Sequence, residues 1–186
     1  MLGFCRAHPF VLGATFHTGA AVVNYPFDGN ESGLAVDTPT PDDALFRRIS
    51  TSYADLNPRM AGSKQFPGGI TNGAAWYVIY GSMQDWSYVW GGAFEVTVEL
   101  FEQKWPAESL LPLIWEENRE SLLAFTENAL TAIAGAVVDC ETKSSRAGRR
   151  SGRGRHRPLV AGRAHRELPP PCCSRDIHFA CEGSGL

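Results

Sequence analysis

No apolar run in this chain is long enough to cross a bilayer. The longest near the amino terminus, Pro9 to Phe16, falls far short of the roughly 20 residues a helical span needs, and only Arg6 gives it a charged flank. Neither a membrane span nor a signal peptide is expected. Cysteine is sparse and odd in number: Cys5, Cys140, Cys172, Cys173 and Cys181 include no Cys-x-x-Cys pair, which argues against a zinc knuckle and leaves the redox compartment open. What is there suits an ordinary globular chain. At 186 residues, 44% of them hydrophobic, it can bury one core of normal size.

The formal charge of −3 hides a division. Residues 1–140 hold 7 Lys and Arg against 16 Asp and Glu, a net of −9, whereas residues 141–186 hold 10 against 4, a net of +6. In that second stretch, "SSRAGRRSGRGRHRPLVAGRAHRELPPPCCSRD", Arg, Gly, Ser and Pro dominate and no apolar periodicity survives. Such a composition cannot bury enough apolar surface to offset chain entropy, so a disordered tail is expected over 140–186 after a body over 1–139. Arginine interleaved with glycine suits non-specific binding of RNA or another polyanion; a merely solvated tail explains it as well.

The body reads as strands mixed with helices, an α/β class in which helices flank a mixed β-sheet. "HPFVLGATFH" is an apolar run of strand length bounded by Pro9, the mark of a central strand buried on both faces. "TPTPDDALFRRISTSYADLNP" predicts a helix with Thr40 as cap, Pro41 at the first position, Asp42 and Asp43 against the dipole, and Leu45, Ile49, Tyr53 and Leu56 on one stripe up to Pro58. A second helix is expected from Ile114 to Ala134, with Trp115, Leu122, Leu123, Phe125, Leu130 and Ile133 on its stripe and Gly135 to end it. Between the helices, "AFEVTVEL" alternates Phe94, Val96, Val98 and Leu100 with Glu95, Thr97 and Glu99, which predicts a strand with two unlike faces.

On pattern alone the residues able to do chemistry stay ambiguous. Glu99 fits an exposed strand carboxylate, His17 a hydrogen-bonded residue at a strand end, Asp28 a turn aspartate, and Trp76 and Tyr77 core or rim aromatics.

Taken together, "FHTGAAVVNYPFD", "PDDALFRRISTSYADLNPRM", "FPGGITNGAAWYVIYGSMQDWSY", "FEVTVEL" and "KWPAESLLPLIWEENRESLLAFTENAL" resemble, in order, the second half of the catalytic domain of zinc metallocarboxypeptidases, in the carboxypeptidase N/E branch. The resemblance runs over about residues 9 to 139. It implies a zinc-dependent enzyme acting on the C-termini of peptides or proteins. His17 falls on the later zinc-binding histidine and Glu99 on the glutamate that serves as base. Tyr77 falls on the tyrosine that contacts the substrate's terminal carboxylate, and "FPGGITNG" supplies glycines for a loop that closes over a peptide end. Asp28 matches the aspartate that favours a C-terminal Lys or Arg, and Gln84 stands where digestive relatives carry their side-chain selector.

The same resemblance defines what is missing. The family's His-x-x-Glu pair of zinc ligands has no counterpart, since His8, His17, His156, His165 and His178 are followed three residues on by Val11, Ala20, Leu159, Leu168 and Cys181. Two of three expected zinc ligands are therefore absent, and a single histidine holds zinc poorly. The expectation is an incomplete, inactive form, with a non-catalytic binding module as the alternative. A sheet edge left bare by missing strands would favour self-association. "GAVVD" at 135–139 begins like the small β-domain that follows in the family and then gives way to the Arg-rich tail. Relatives of this type imply the secretory pathway or the cell exterior, and no nucleic-acid specificity is expected.

Overall fold

A computed structural model describes residues 2–8 and 10–131. The expected tail over 140–186, its disorder and its polyanion reading lie outside the described residues, as do Ile133, Ala134 and Gly135.

A short helix α1 (Leu2–Ala7) precedes strands β1 (Leu12–His17) and β2 (Ala20–Tyr25); α2 (Asp43–Ala54), α3 (Pro58–Ala61), β3 (Ile70–Asn72), α4 (Gly73–Trp76) and α5 (Met83–Trp86) follow, and β4 (Phe94–Phe101) and α6 (Leu111–Glu127) complete the set. The four strands form one mixed sheet in the order β1-β4-β2-β3. β4 runs parallel to β1 and antiparallel to β2, and β2 runs parallel to β3. Only two residues separate β1 from β2, yet they do not pair. β4 lies between them, and this insertion sets His17 opposite Glu99.

One face of the sheet carries the core. Val23 and Tyr25 of β2 and Val96 and Val98 of β4 pack with Phe46, Ile49, Tyr53, Met60 and Phe125 from the helices. The alternation expected for β4 holds: Phe94 and Leu100 pack against this cluster from its margins. Helix α2 buries Phe46, Ile49, Ser50, Tyr53 and Ala54, the spacing of a single helical stripe. It starts later than Thr40. Asp42 is its cap residue and makes no side-chain cap bond, its carboxylate accepting the Tyr88 hydroxyl at 2.7 Å instead. Thr40 serves through its carbonyl, which accepts from Asp43 N at 3.1 Å. Leu56 lies past the helix and is exposed.

Two expectations are corrected. β1 is an edge strand: nothing among the described residues pairs with its outer side, and Val11 and Phe16 are exposed. An apolar run reports a preference for burial and cannot say whether a neighbour is present to supply it. In α6 the residues turned inward are Ile114, Asn118, Ser121 and Phe125, while Trp115, Leu123 and Leu130 are exposed. Apolar residues are spread around this helix, so counting them does not select the inner face. Polar bonding does: Asn118 accepts from the Tyr53 hydroxyl at 2.8 Å and from Asn57 Nδ2 at 2.9 Å, and donates to Ile114 O at 2.8 Å.

Candidate active site

The opposite face of the sheet is built from the alternate residues: Gly13, Thr15 and His17 on β1, Glu95, Thr97 and Glu99 on β4, and Val22 and Asn24 on β2. Side chains from the segments on either side of β3 reach over it, Phe66 and Trp76 onto Val22 and Gln84 onto Thr97. Phe66 and Trp76 meet edge to face at 5.0 Å between ring centres and pack with Val22, which places Trp76 over this face. This cover explains why a carboxylate that alternation assigns to the non-core side is nevertheless buried. Glu99 is only 4% exposed.

His17 and Glu99 meet at the end of the β1–β4 ladder, Nδ1 lying 3.1 Å from Oε2. The ring nitrogen is also 3.4 Å from Thr18 O, and Oε2, though buried, accepts no hydrogen bond. Burial pushes the Glu99 carboxyl above its ordinary range; His17, the Ala20 backbone N–H and Lys104 pull it back, in that order. The imidazole side chain is 55% exposed while the carboxylate is shielded, so solvent reaches the pair from the histidine side.

Asp28 lies just beyond the end of β2 and is 2% exposed. Asn24 Nδ2 donates to its Oδ1 at 3.0 Å, and Gln84 Nε2 donates to Asn24 Oδ1 at 3.3 Å. Thr97 Oγ1 donates to Gln84 Oε1 at 2.9 Å and lies 3.1 Å from Thr15 Oγ1. A polar chain thus runs from buried Asp28 across the sheet to exposed Thr15 on β1. Burial raises the Asp28 carboxyl, opposed by hydrogen bonds from Ser82, Asn24 and Gln84. Asp85 holds the backbone in place, accepting Asp28 N–H at 3.0 and 3.1 Å and Gly29 N–H at 3.2 Å.

Tyr77 is half exposed, and its hydroxyl is pushed above the ordinary range by burial first and then by the negative charges of Glu99 and Asp28. Its surroundings differ from the expected mobile flap. Residues 70–72 of "FPGGITNG" form β3, and the backbone on either side of Tyr77 is tied down: Ala74 N donates to Phe27 O at 2.9 Å and Ile79 N to Asp28 O at 3.0 Å. Two of the three glycines there answer packing needs. Gly69 turns at φ 68° against Met60, and a Cβ on Gly73 would sit 1.8 Å from Asp28 Oδ1.

All five residues singled out from the sequence therefore face one side of the sheet: His17 with Glu99, Asp28 with Gln84 through Asn24, and Tyr77 within the field of both carboxylates. Sequence reasoning missed Asn24, Gly73 and Asp85. For Asp85 a signal existed, because Ser82 three residues earlier forms a helix cap, its Oγ accepting Asp85 N–H at 3.3 Å.

The donor set falls short of a zinc site. Among the described residues no three His, Cys, Asp or Glu side chains are grouped to hold a metal ion. One imidazole beside one carboxylate does not fit tetrahedral zinc. No described helix is long and apolar enough to cross a membrane.

The family profile described as zinc carboxypeptidase matches residues 1–121. Carboxypeptidase D of Mus musculus is 44% identical over 148 residues, covering 75% of this chain and 11% of that protein. Carboxypeptidase M of Mus musculus is 38% identical over 148 residues, covering 75% and 33%, and carboxypeptidase E of Caenorhabditis elegans is 40% identical over 149 residues, covering 72% and 32%. The chain spans no more than a third of the length of these relatives. With residues 1–121 of 186 under one family profile and carboxypeptidases D, M and E among its relatives, the chain belongs to the zinc carboxypeptidase family, a family whose metal is zinc.

Proposed function

We propose that this chain carries the base and the side-chain pocket of a carboxypeptidase that releases C-terminal Lys or Arg from peptides or proteins, in the secretory pathway or outside the cell. Asp28 carries the reading. It is a buried carboxylate that makes no ion pair among the described residues, surrounded by the neutral Asn24, Gln84 and Ser82 and the like-charged Asp85. An isolated buried charge is costly, and a cationic substrate side chain supplies the missing partner. Glu99, shielded and facing the His17 ring through Oε2, takes a proton from the attacking water and returns it to the leaving amine. Tyr77, half exposed above both carboxylates, donates its hydroxyl to the peptide's terminal carboxylate. Gln84 orients the pocket through Asn24. His17 would be one ligand of a zinc ion, which would supply water activation and carbonyl polarisation only with further ligands beyond this pair.

The incomplete donor set favours a second reading for the 186-residue chain taken alone: a module that binds basic peptide ends without turnover. Both readings are tested by incubating the chain with a peptide ending in Arg and its Leu-ended counterpart, with and without a chelator, beside zinc stoichiometry and calorimetric titration of each peptide. Binding of the Arg peptide without chelator-sensitive release is expected, and Asp28→Asn should remove the preference for Arg over Leu. Chelator-sensitive release would overturn inactivity; equal binding of both peptides would overturn the pocket. The outer edge of β1, unpaired among the described residues, would offer a site for self-association, which equilibrium sedimentation tests.

A further inference from the structure

Glu95 occupies the same face of β4 as Glu99, four residues nearer the strand's start and opposite Gly13 of β1. It is 7% exposed. Its Oε2 accepts the Ser87 hydroxyl, whereas Oε1 is buried and accepts nothing, and no Lys, Arg or His whose side chain the structure describes pairs with it. Burial raises this carboxyl, with the Ser87 bond as the one opposing influence. The side chain lines a cavity of about 290 Å³, otherwise bounded chiefly by Phe4, Phe10, Met83, Trp86 and Gly13. The glycine keeps space beside the carboxylate, for a Cβ there would stand 3.3 Å from Glu95 Cγ. None of the residues assigned above to peptide binding lines this cavity.

The chemistry of the cavity narrows its ligand. A buried carboxylate without a countercharge favours any ligand that brings one. With one oxygen engaged by Ser87 and one free, a single N–H⁺ donor fits; a guanidinium, which seeks two parallel acceptors, fits less well. Three aromatic rings and a thioether suit an apolar body and a cation held near ring faces. We propose that this cavity is a binding site for a small primary ammonium with a ring-bearing apolar body, its nitrogen donating to Glu95 Oε1. The site lies roughly 13 Å along the sheet from Glu99 at about 3.3 Å per residue, and the proposal is independent of the peptidase reading.

The test uses the full 186-residue chain at pH 7, titrated calorimetrically with phenethylammonium and with its neutral counterpart 2-phenylethanol. Saturable binding at one site is expected, with the alcohol about tenfold weaker or more. Glu95→Gln should weaken phenethylammonium by a similar factor and leave the alcohol unchanged, while Asp28→Asn should leave both unchanged. Labelling the methionine methyl groups adds a readout that needs no variant, since the Met83 resonance should shift on binding. Equal affinity for amine and alcohol, loss of binding in Asp28→Asn with retention in Glu95→Gln, or saturable binding without a Met83 shift would each overturn the proposal.

Discussion

At its C-terminal end β4 presents Glu99 beside an imidazole, a backbone N–H and the field of Lys104; four residues earlier the same face presents Glu95 with one serine hydroxyl. Both carboxyls are pushed upward by burial, so depth alone does not tell them apart. The neighbours do. Favourable partners partly offset the cost of charge at Glu99, next to a half-exposed histidine, while Glu95 keeps its cost beside an apolar cavity. One strand thus holds a buried carboxyl with charged and polar partners at one end and a buried carboxyl with a single hydroxyl partner at the other.

The largest expected effect concerns two glycines set against buried carboxylates, Gly73 against Asp28 and Gly13 against Glu95. Gly73→Val places its Cβ on Asp28 Oδ1 and should destabilise the fold by about 3 kcal/mol, whereas Gly13→Ala meets only the flexible Glu95 side chain and should cost under about 1 kcal/mol. Urea unfolding midpoints measure both; equal costs would break the contrast.

Next in size is the response to neutralisation. Because each carboxyl titrates above its unfolded value, its contribution to stability is fully present below the unfolded carboxylate pKa and is lost as pH rises through the folded one. Glu95→Gln should therefore raise stability at pH 7 by about 1 kcal/mol and change little at pH 3, while Glu99→Gln should gain less at pH 7 because ionised Glu99 keeps its partners. Chemical denaturation at pH 3, 5 and 7 compares the two; a larger gain at Glu99 would reverse the assignment.

Smaller still is the loss of one partner. His17→Ala should change stability by no more than about 0.5 kcal/mol, given the ring's exposure, yet raise the Glu99 titration midpoint in carbon-detected NMR and leave Glu95 unmoved. Lys104→Met should shift Glu99 in the same direction by less, since its field is the weakest of the three influences.

What could be read beforehand follows the range of the interaction involved. The β4 alternation and the α2 stripe are local and were legible, because side-chain direction repeats with fixed period in strand and helix. The inner face of α6 was not legible, because it is chosen by Asn118 bonding to Tyr53 and Asn57, far away in sequence. The edge position of β1 depends on which strands are present to pair, a fact no residue within the strand encodes. His17, Asp28, Tyr77, Gln84 and Glu99 were named through resemblance, yet the Asn24 bridge, the Asp85 clasp and the Gly73 clearance required the folded chain.

Taken alone, then, the amino-acid sequence determined that this is an α/β chain of the zinc carboxypeptidase family with an acidic body, one strand carrying two carboxylates on a single face, and no His-x-x-Glu pair. Tertiary structure decided which carboxylate has an imidazole beside it and which is left with a cavity. The reason is topological: β4 enters between β1 and β2, so register across that insertion, rather than nearness along the chain, sets His17 opposite Glu99 and Gly13 opposite Glu95.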